Sequence, residues 1–97
     1  MPQRDELRRA CIDAHHQLAL LAWQRQQLEE SIVHWQHVIA MDVMFESAHE
    51  GLIHCYIQQG KRHLAQHHYN QYASFLQKEL GVLPAETFQS LIGKSGN

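Results

Sequence analysis

Proline is nearly absent from this chain, with two residues in 97. Pro2 and Pro84 both fall outside apolar periodic stretches, so nothing forces a break inside a long helix. Cysteine is equally scarce. Cys11 and Cys55 stand far apart, which excludes a disulfide framework and a thiolate zinc site. Both lie among apolar residues and are expected to be small, reduced, buried hydrophobes. No apolar run approaches the roughly 18 residues that span a bilayer. The N-terminus opens with Arg4, Asp5, Glu6, Arg8 and Arg9, unlike a secretory leader. A cytoplasmic setting with no membrane partner is therefore expected.

Charge of one sign is also lacking. Eight basic and ten acidic residues leave a formal charge of -2. The basic residues Arg4, Arg8, Arg9, Arg25, Lys61, Arg62, Lys78 and Lys94 form no stripe, so the chain by itself is expected to be a poor DNA binder. There is no Gly-rich phosphate loop, no Gly-x-Ser-x-Gly elbow and no His-Glu-x-x-His. No catalytic residue, cofactor or metal ligand is expected.

What is present is helix. Residues 1–97 are enough for one small domain with a thin core. From Leu7 the apolar residues recur as Leu7, Cys11, Ala14, Leu18 and Leu21, which predicts an amphipathic helix over about 4–26. Ile32, Trp35, Val38 and Ile39 predict a second over about 29–41, and Phe45, Ala48, Leu52, Ile53 and Tyr56 a third over about 45–59. Leu64, Ala65, Tyr69, Tyr72, Phe75 and Leu76 predict a fourth over about 61–80. Gly60 and Gly81 suit left-handed helix ends, with Val82 as the apolar partner of the second. Pro84 fits the first turn of a last helix over about 84–92, with Phe88, Leu91 and Ile92 facing inward. Gly93 to Asn97 read as a frayed tail. No strand alternation appears, so the expected class is all-α.

The chain also repeats itself. A shift of 34 residues lays Leu18 on Leu52, Ala19 on Ile53, Ser31 on Ala65, Trp35 on Tyr69 and Val38 on Tyr72. This two-helix period resembles the tetratricopeptide repeat. A small residue (Ser31, Ala65) lets the second helix approach the first, and an aromatic four residues on (Trp35, Tyr69) fills the space beyond the crossing. Gly60 serves the turn of the second repeat; Gln26, a poorer match, stands at that place in the first. The expected architecture is a short solenoid of stacked antiparallel hairpins, about five helices in all. Two hairpins are few for such a stack, so the expectation is a fragment of a larger regulator or an obligate oligomer.

Residues 28–92 carry a narrower resemblance. Asp42, Glu46, Ala48 and His49 match an Asp-Pro-x-x-Glu-x-Ala-His segment, with Val43 in place of its proline. Gly60, Ala65 and Tyr69 follow, then Glu79-Leu80-Gly81-Val82 with Pro84, Glu86 and Thr87. These motifs resemble the bacterial transcriptional activator domain. That resemblance implies a non-catalytic module for regulatory protein–protein interaction or oligomerisation. Its partner would be a second copy or another domain of the parent regulator, and DNA would be reached only through a domain this chain does not contain. It also implies structural roles: Asp42 capping the third helix, and Glu46 and His49 bonding between hairpins. The alternative is a tetratricopeptide-type peptide-binding adaptor unrelated to transcription.

In stacks of this kind the first helix of each repeat lines a concave groove. With Ile12 and Glu46 as repeat starts, the groove residues are Asp13, His16, Leu20, Trp23 and Gln24, then Ser47, Glu50, His54, Ile57 and Gln58. Leu20, Trp23 and Ile57 would give it an apolar floor suited to an amphipathic segment. Nine histidines are many for this length. His34 with His37, and His63 with His67, sit within one helix at spacings that could present two imidazoles, but no carboxylate or thiolate stands in register. They are read as solvated polar positions. An Asp-His or Glu-His catalytic pair at His49 lacks a nucleophile, since Ser47 points elsewhere.

Overall fold

The computed structural model describes residues 3–95. Five α-helices follow one another there, with no strand: α1 (Arg4–Gln24), α2 (Leu28–Met41), α3 (Glu46–Gln58), α4 (Arg62–Leu80) and α5 (Glu86–Ser95). The fold is an all-α stack of helical hairpins, as the periodicity predicts. Each helix packs on the next, and α5 touches both α4 and α3. The result is a thin slab of 52 × 36 × 17 Å.

The two hairpin turns are built alike. The N–H of Gln27 reaches Ala22 O at 2.8 Å and that of Gln26 reaches Trp23 O at 3.0 Å. In the second hairpin Lys61 N reaches Tyr56 O at 2.8 Å and Gly60 N reaches Ile57 O at 2.9 Å. Both are the paired bonds of a Schellman ending, which needs a left-handed residue just past the helix. Gly60 supplies it at φ 76° and Gln26 at φ 59°. Gln26 therefore lies outside α1, which ends two residues earlier than expected.

The helix crossings also follow the repeat. Ser31 and Ala65 are both buried. Ser31 Oγ donates to Ala19 O at 2.8 Å across the first crossing, which satisfies its buried hydroxyl. The core divides into two clusters. Ile12, Ala19, Trp35, Val38, Ala48, Leu52 and Cys55 join α1, α2 and α3. Ile53, Ala65, Tyr72, Leu76 and Phe88 join α3, α4 and α5. Between the hairpins the Trp35 indole lies flat against Gly51, where a Cβ would stand 2.3 Å from the ring.

Several expectations are corrected. The stripe Leu7, Cys11, Ala14, Leu18 and Leu21 faces outward; α1 buries Ile12, Ala19 and Ala22 instead. The hairpin partner lies on a neighbouring face of the helix, so the larger stripe is not the core one. Cys11 is consequently exposed, whereas Cys55 is buried. Pro84 is buried but precedes α5, which starts at Glu86, with Phe88 N bonding Ala85 O at 3.0 Å. Gly81 does take the left-handed turn, at φ 68°, but Val82 is exposed and does not fold back. Helix α5 runs on to Ser95, so Gly93 to Ser95 are not a tail; Gly96 and Asn97 lie outside the described residues. Asp42 does not cap α3. Its Oδ1 accepts from Met44 N at 3.0 Å within the connection, and the N-cap residue Phe45 has no side-chain bond.

Two substitutions of opposite sign test this packing. Gly51→Ala drives a methyl into a buried indole and should cost about 1–3 kcal/mol. Gln26→Gly relieves a left-handed non-glycine residue and should gain about 1 kcal/mol. Thermal unfolding of both variants against the parent chain measures the difference; melting temperatures shifted in the same direction contradict it.

Candidate interaction groove and the histidine pairs

The first helices of the hairpins, α1 and α3, turn one face each toward a shared concavity. A cleft of about 200 Å³ is lined there by His16, Leu20, Trp23, Trp35, Ser47, Glu50, Gly51 and His54. Six of the ten residues assigned to the groove by repeat register meet in it. A neighbouring hollow of about 520 Å³ adds Gln24 and Gln58, with Trp23 shared between the two. Asp13 is exposed on α1 and lines neither. Ile57 packs on the second core cluster and also lines neither. The floor is thus Leu20 and Trp23 without Ile57.

The lining is held by rings. Trp23 stacks on His54 with centroids 5.4 Å apart and planes 14° from parallel, so it is half-buried and not isolated. His16 sits between Trp35 at 5.4 Å and the Phe45 edge at 5.2 Å. Trp35 is buried, and its Nε1–H has no hydrogen-bond partner. A buried unpaired donor is costly, and it lies beside the Gly51 Cα that forms part of the cleft wall. At the far end α5 closes on the groove, where Thr87 Oγ1 donates to Glu50 Oε2 at 3.3 Å.

The family-motif residues lie elsewhere, in the frame of the second hairpin. His49 is buried on α3 and stacks on Tyr72 at 3.9 Å. Its Nε2 donates to Val43 O at 2.7 Å, so its Nδ1 is the acceptor for His68 Nε2 at 2.9 Å. Val43 takes part through its carbonyl, which proline would also supply. In this arrangement His49 is neutral and both its ring nitrogens are occupied, leaving no lone pair to act as a base. Glu46 is exposed and makes none of the described hydrogen bonds; with burial as the larger cause, its charge pushes the Tyr72 hydroxyl up. Tyr69 packs on the second cluster.

The His49–His68 pair was not legible from spacings within single helices, yet its signal was present. A shift of 34 residues carries His15 onto His49 and His34 onto His68. The first hairpin accordingly holds a second pair, His15 Nδ1 to His34 Nδ1 at 3.0 Å, with His37 stacked on His15 at 4.5 Å. Burial, then repulsion from His37 and His34, lowers the His15 pKa. Burial is likewise the main cause at His49, opposed by the Val43 bond and Asp42. His68 is lowered to about 4, by burial first and then by His49 and His67. Among the described residues no group of three or more His, Cys, Asp or Glu could hold a metal ion, and no helix is long and apolar enough to cross a membrane.

Among known proteins, a family model described as the bacterial transcriptional activator domain matches residues 1–94. That match extends the motif resemblance to α1. No curated protein and no solved structure matches the chain.

Lowered histidine pKa values fix the sign of a pH effect. The unfolded chain binds protons at about pH 6.5 while folded His68 does not until about pH 4, so stability is full above 6.5 and falls as pH drops toward 4. Between pH 7.5 and 5 the loss from this residue should be on the order of 1–2 kcal/mol. His68→Gln, which keeps an N–H for His49 but does not titrate, should flatten the dependence. Equal melting temperatures of the parent chain at the two pH values would refute the assignment.

Proposed function

Because the chain belongs to the bacterial transcriptional activator domain family, we propose that it is a non-catalytic interaction module of a bacterial transcription regulator that captures a helical protein segment in the α1–α3–α5 groove. The family makes it a domain associated with transcription regulators. The interaction role is the finer reading, and the observation that carries it is the cleft around Trp23. Leu20 and Trp23 offer apolar contact there, His16, His54 and Glu50 offer polar contact, and an unpaired indole N–H lies in the wall behind them. Large amphipathic rings at the centre of a concave patch are the residues that anchor partners. The matching segment is an amphipathic helix, apolar toward Leu20 and Trp23, with a cationic or N–H group toward Glu50. Partners of this kind are other domains of the parent regulator, and DNA contact falls to those domains.

Selection of helical peptides from a displayed library against the whole chain tests this. Enriched peptides should bind Trp23→Ala about tenfold or more weakly. Leu20→Ser, at an exposed position with little stability at stake, should weaken them too. A chain that enriches no helical peptide, or binding untouched by either substitution, defeats the groove reading.

A further inference from the structure

We propose that the His15–His34 pair of the first hairpin is a two-imidazole site for a divalent cation of the copper(II) or nickel(II) class, gripped between α1 and α2 with water in its other positions. The site is separate from the groove, whose hollows neither residue lines. His15 stands on α1 and His34 on α2, both half-buried. Their Nδ1 atoms face each other 3.0 Å apart, with ring centroids 5.2 Å apart. A neutral imidazole keeps one ring nitrogen with a free lone pair, and copper, nickel and zinc all accept it as a ligand.

The separation selects the coordination geometry. Two nitrogens bound to one metal at about 2.0–2.1 Å lie about 2.9 Å apart across a right angle and about 3.3–3.4 Å apart in a tetrahedron. The observed 3.0 Å is close to the right-angled value, which belongs to tetragonal copper(II) and nickel(II) rather than to tetrahedral zinc. Without metal, one proton lies between the nitrogens, because a bond between two Nδ1 atoms needs one donor and one acceptor. The cation takes its place when that proton moves to Nε2 of the same ring, so the chain keeps its proton count. None of the described hydrogen bonds uses Nε2 of either ring, so the shift breaks no other contact. A small turn of each ring then aims both lone pairs at one point.

The other histidines lack one part of this arrangement. His49 and His68 are 2.9 Å apart, but His49 is buried and its Nε2 is held by Val43 O. A divalent ion there would have to give up its water. His63 and His67 are exposed on one face of α4, yet neither ring takes part in a described hydrogen bond or stack, so binding must order both. In the first hairpin the order is already present. His37 stacks on His15 at 4.5 Å with planes 16° apart, which fixes the His15 ring and makes His37 a positioning residue. Ligands held before the ion arrives bind it more tightly. Among the described residues no third His, Cys, Asp or Glu joins the two, so water completes the shell and the ion exchanges readily.

Calorimetric titration of the whole chain with Ni(II), at about pH 7.5 where imidazoles are neutral, tests the site. Saturable binding is expected, tighter for Ni(II) than for Zn(II) and absent for Mg(II), which prefers oxygen ligands. The melting temperature should rise with Ni(II) concentration, because the ion joins α1 to α2 only in the folded chain. His15→Ala and His34→Ala should each weaken binding about tenfold or more, as the loss of even an outer-shell partner does. His37→Phe keeps a stacking ring without a nitrogen and should retain binding. Cys11→Ser and His63→Ala should leave it unchanged. A second reading needs no substitution: substoichiometric Ni(II), which is paramagnetic, should broaden the ring resonances of His15 and His34 before those of other histidines. Absence of Ni(II) binding up to about 1 mM would overturn the site. So would tighter binding of Zn(II), binding lost in His37→Phe, Cys11→Ser or His63→Ala, or first broadening at another histidine.

Discussion

Two hairpins become one body where the Trp35 indole lies on Gly51. Helices carrying ordinary side chains pack about 8–10 Å apart; removing one Cβ lets α2 come close enough to α3 for a full aromatic face to be buried. The first core cluster then runs through α1, α2 and α3, and Leu52 and Cys55 are covered from the preceding hairpin. The same contact sets the geometry of the concave side. It brings Gly51 and Trp35 into the wall between His16 and Glu50, and it removes the indole N–H from water without giving it an acceptor. Tight joining of the repeats and an unsatisfied donor at the groove are two consequences of one packing choice.

Repetition accounts for most of the remaining order, and the departures from it are informative. Turn bonds, positive φ values and crossing residues recur 34 positions apart, down to the paired histidines. What differs is burial. His15–His34 sits at the surface of the first hairpin. His49–His68 is enclosed by Tyr72, with Val43 O fixing the tautomer. A part-buried polar pair in one repeat thereby becomes, in the next, a more enclosed structural bond in which burial disfavours charge.

Much of the fold was legible because helix periodicity and the 34-residue register are local signals. Ser31, Ala65, Gly60 and Gly81 each have a single steric reason for their place. The orientation of α1 was not legible. It carries two apolar stripes, and the one richer in leucine, Leu7 to Leu21, is the one left uncovered, whereas Ile12, Ala19 and Ala22 enter the core. Volume on a helix face says that the face seeks burial, not which neighbour supplies it. Of the residues the register assigned to the groove, Leu20, Trp23, Glu50 and His54 line one cleft, whereas Ile57 packs on the second cluster, where α4 and α5 supply apolar neighbours. Asp42 was misread for another reason. An aspartate near a helix start can serve the helix or the preceding turn, and only backbone geometry decides; here the turn takes it.

Helix α1 therefore has three distinct employments around its circumference. Ile12, Ala19 and Ala22 bind the hairpin partner; Leu20 and Trp23 face the groove; Leu7, Leu18 and Leu21 remain toward solvent. An interior helix of a hairpin stack needs all three, since it has a neighbour before it, a partner after it and a concave side. In α3 the same three faces exist: α2 and α4 cover two of them, and α5 closes only the end of the groove face, through Thr87 and Glu50. Helix α1 thus carries the three faces of an interior helix, with the Leu7, Leu18 and Leu21 face exposed. The energetic consequence is that Leu7, Leu18 and Leu21 add little burial to the first hairpin, whose hold on α1 rests on Ile12, Ala19 and Ala22. The same helix carries Trp23 and half of the groove lining, so the burial of three residues on one face positions the side chains of another.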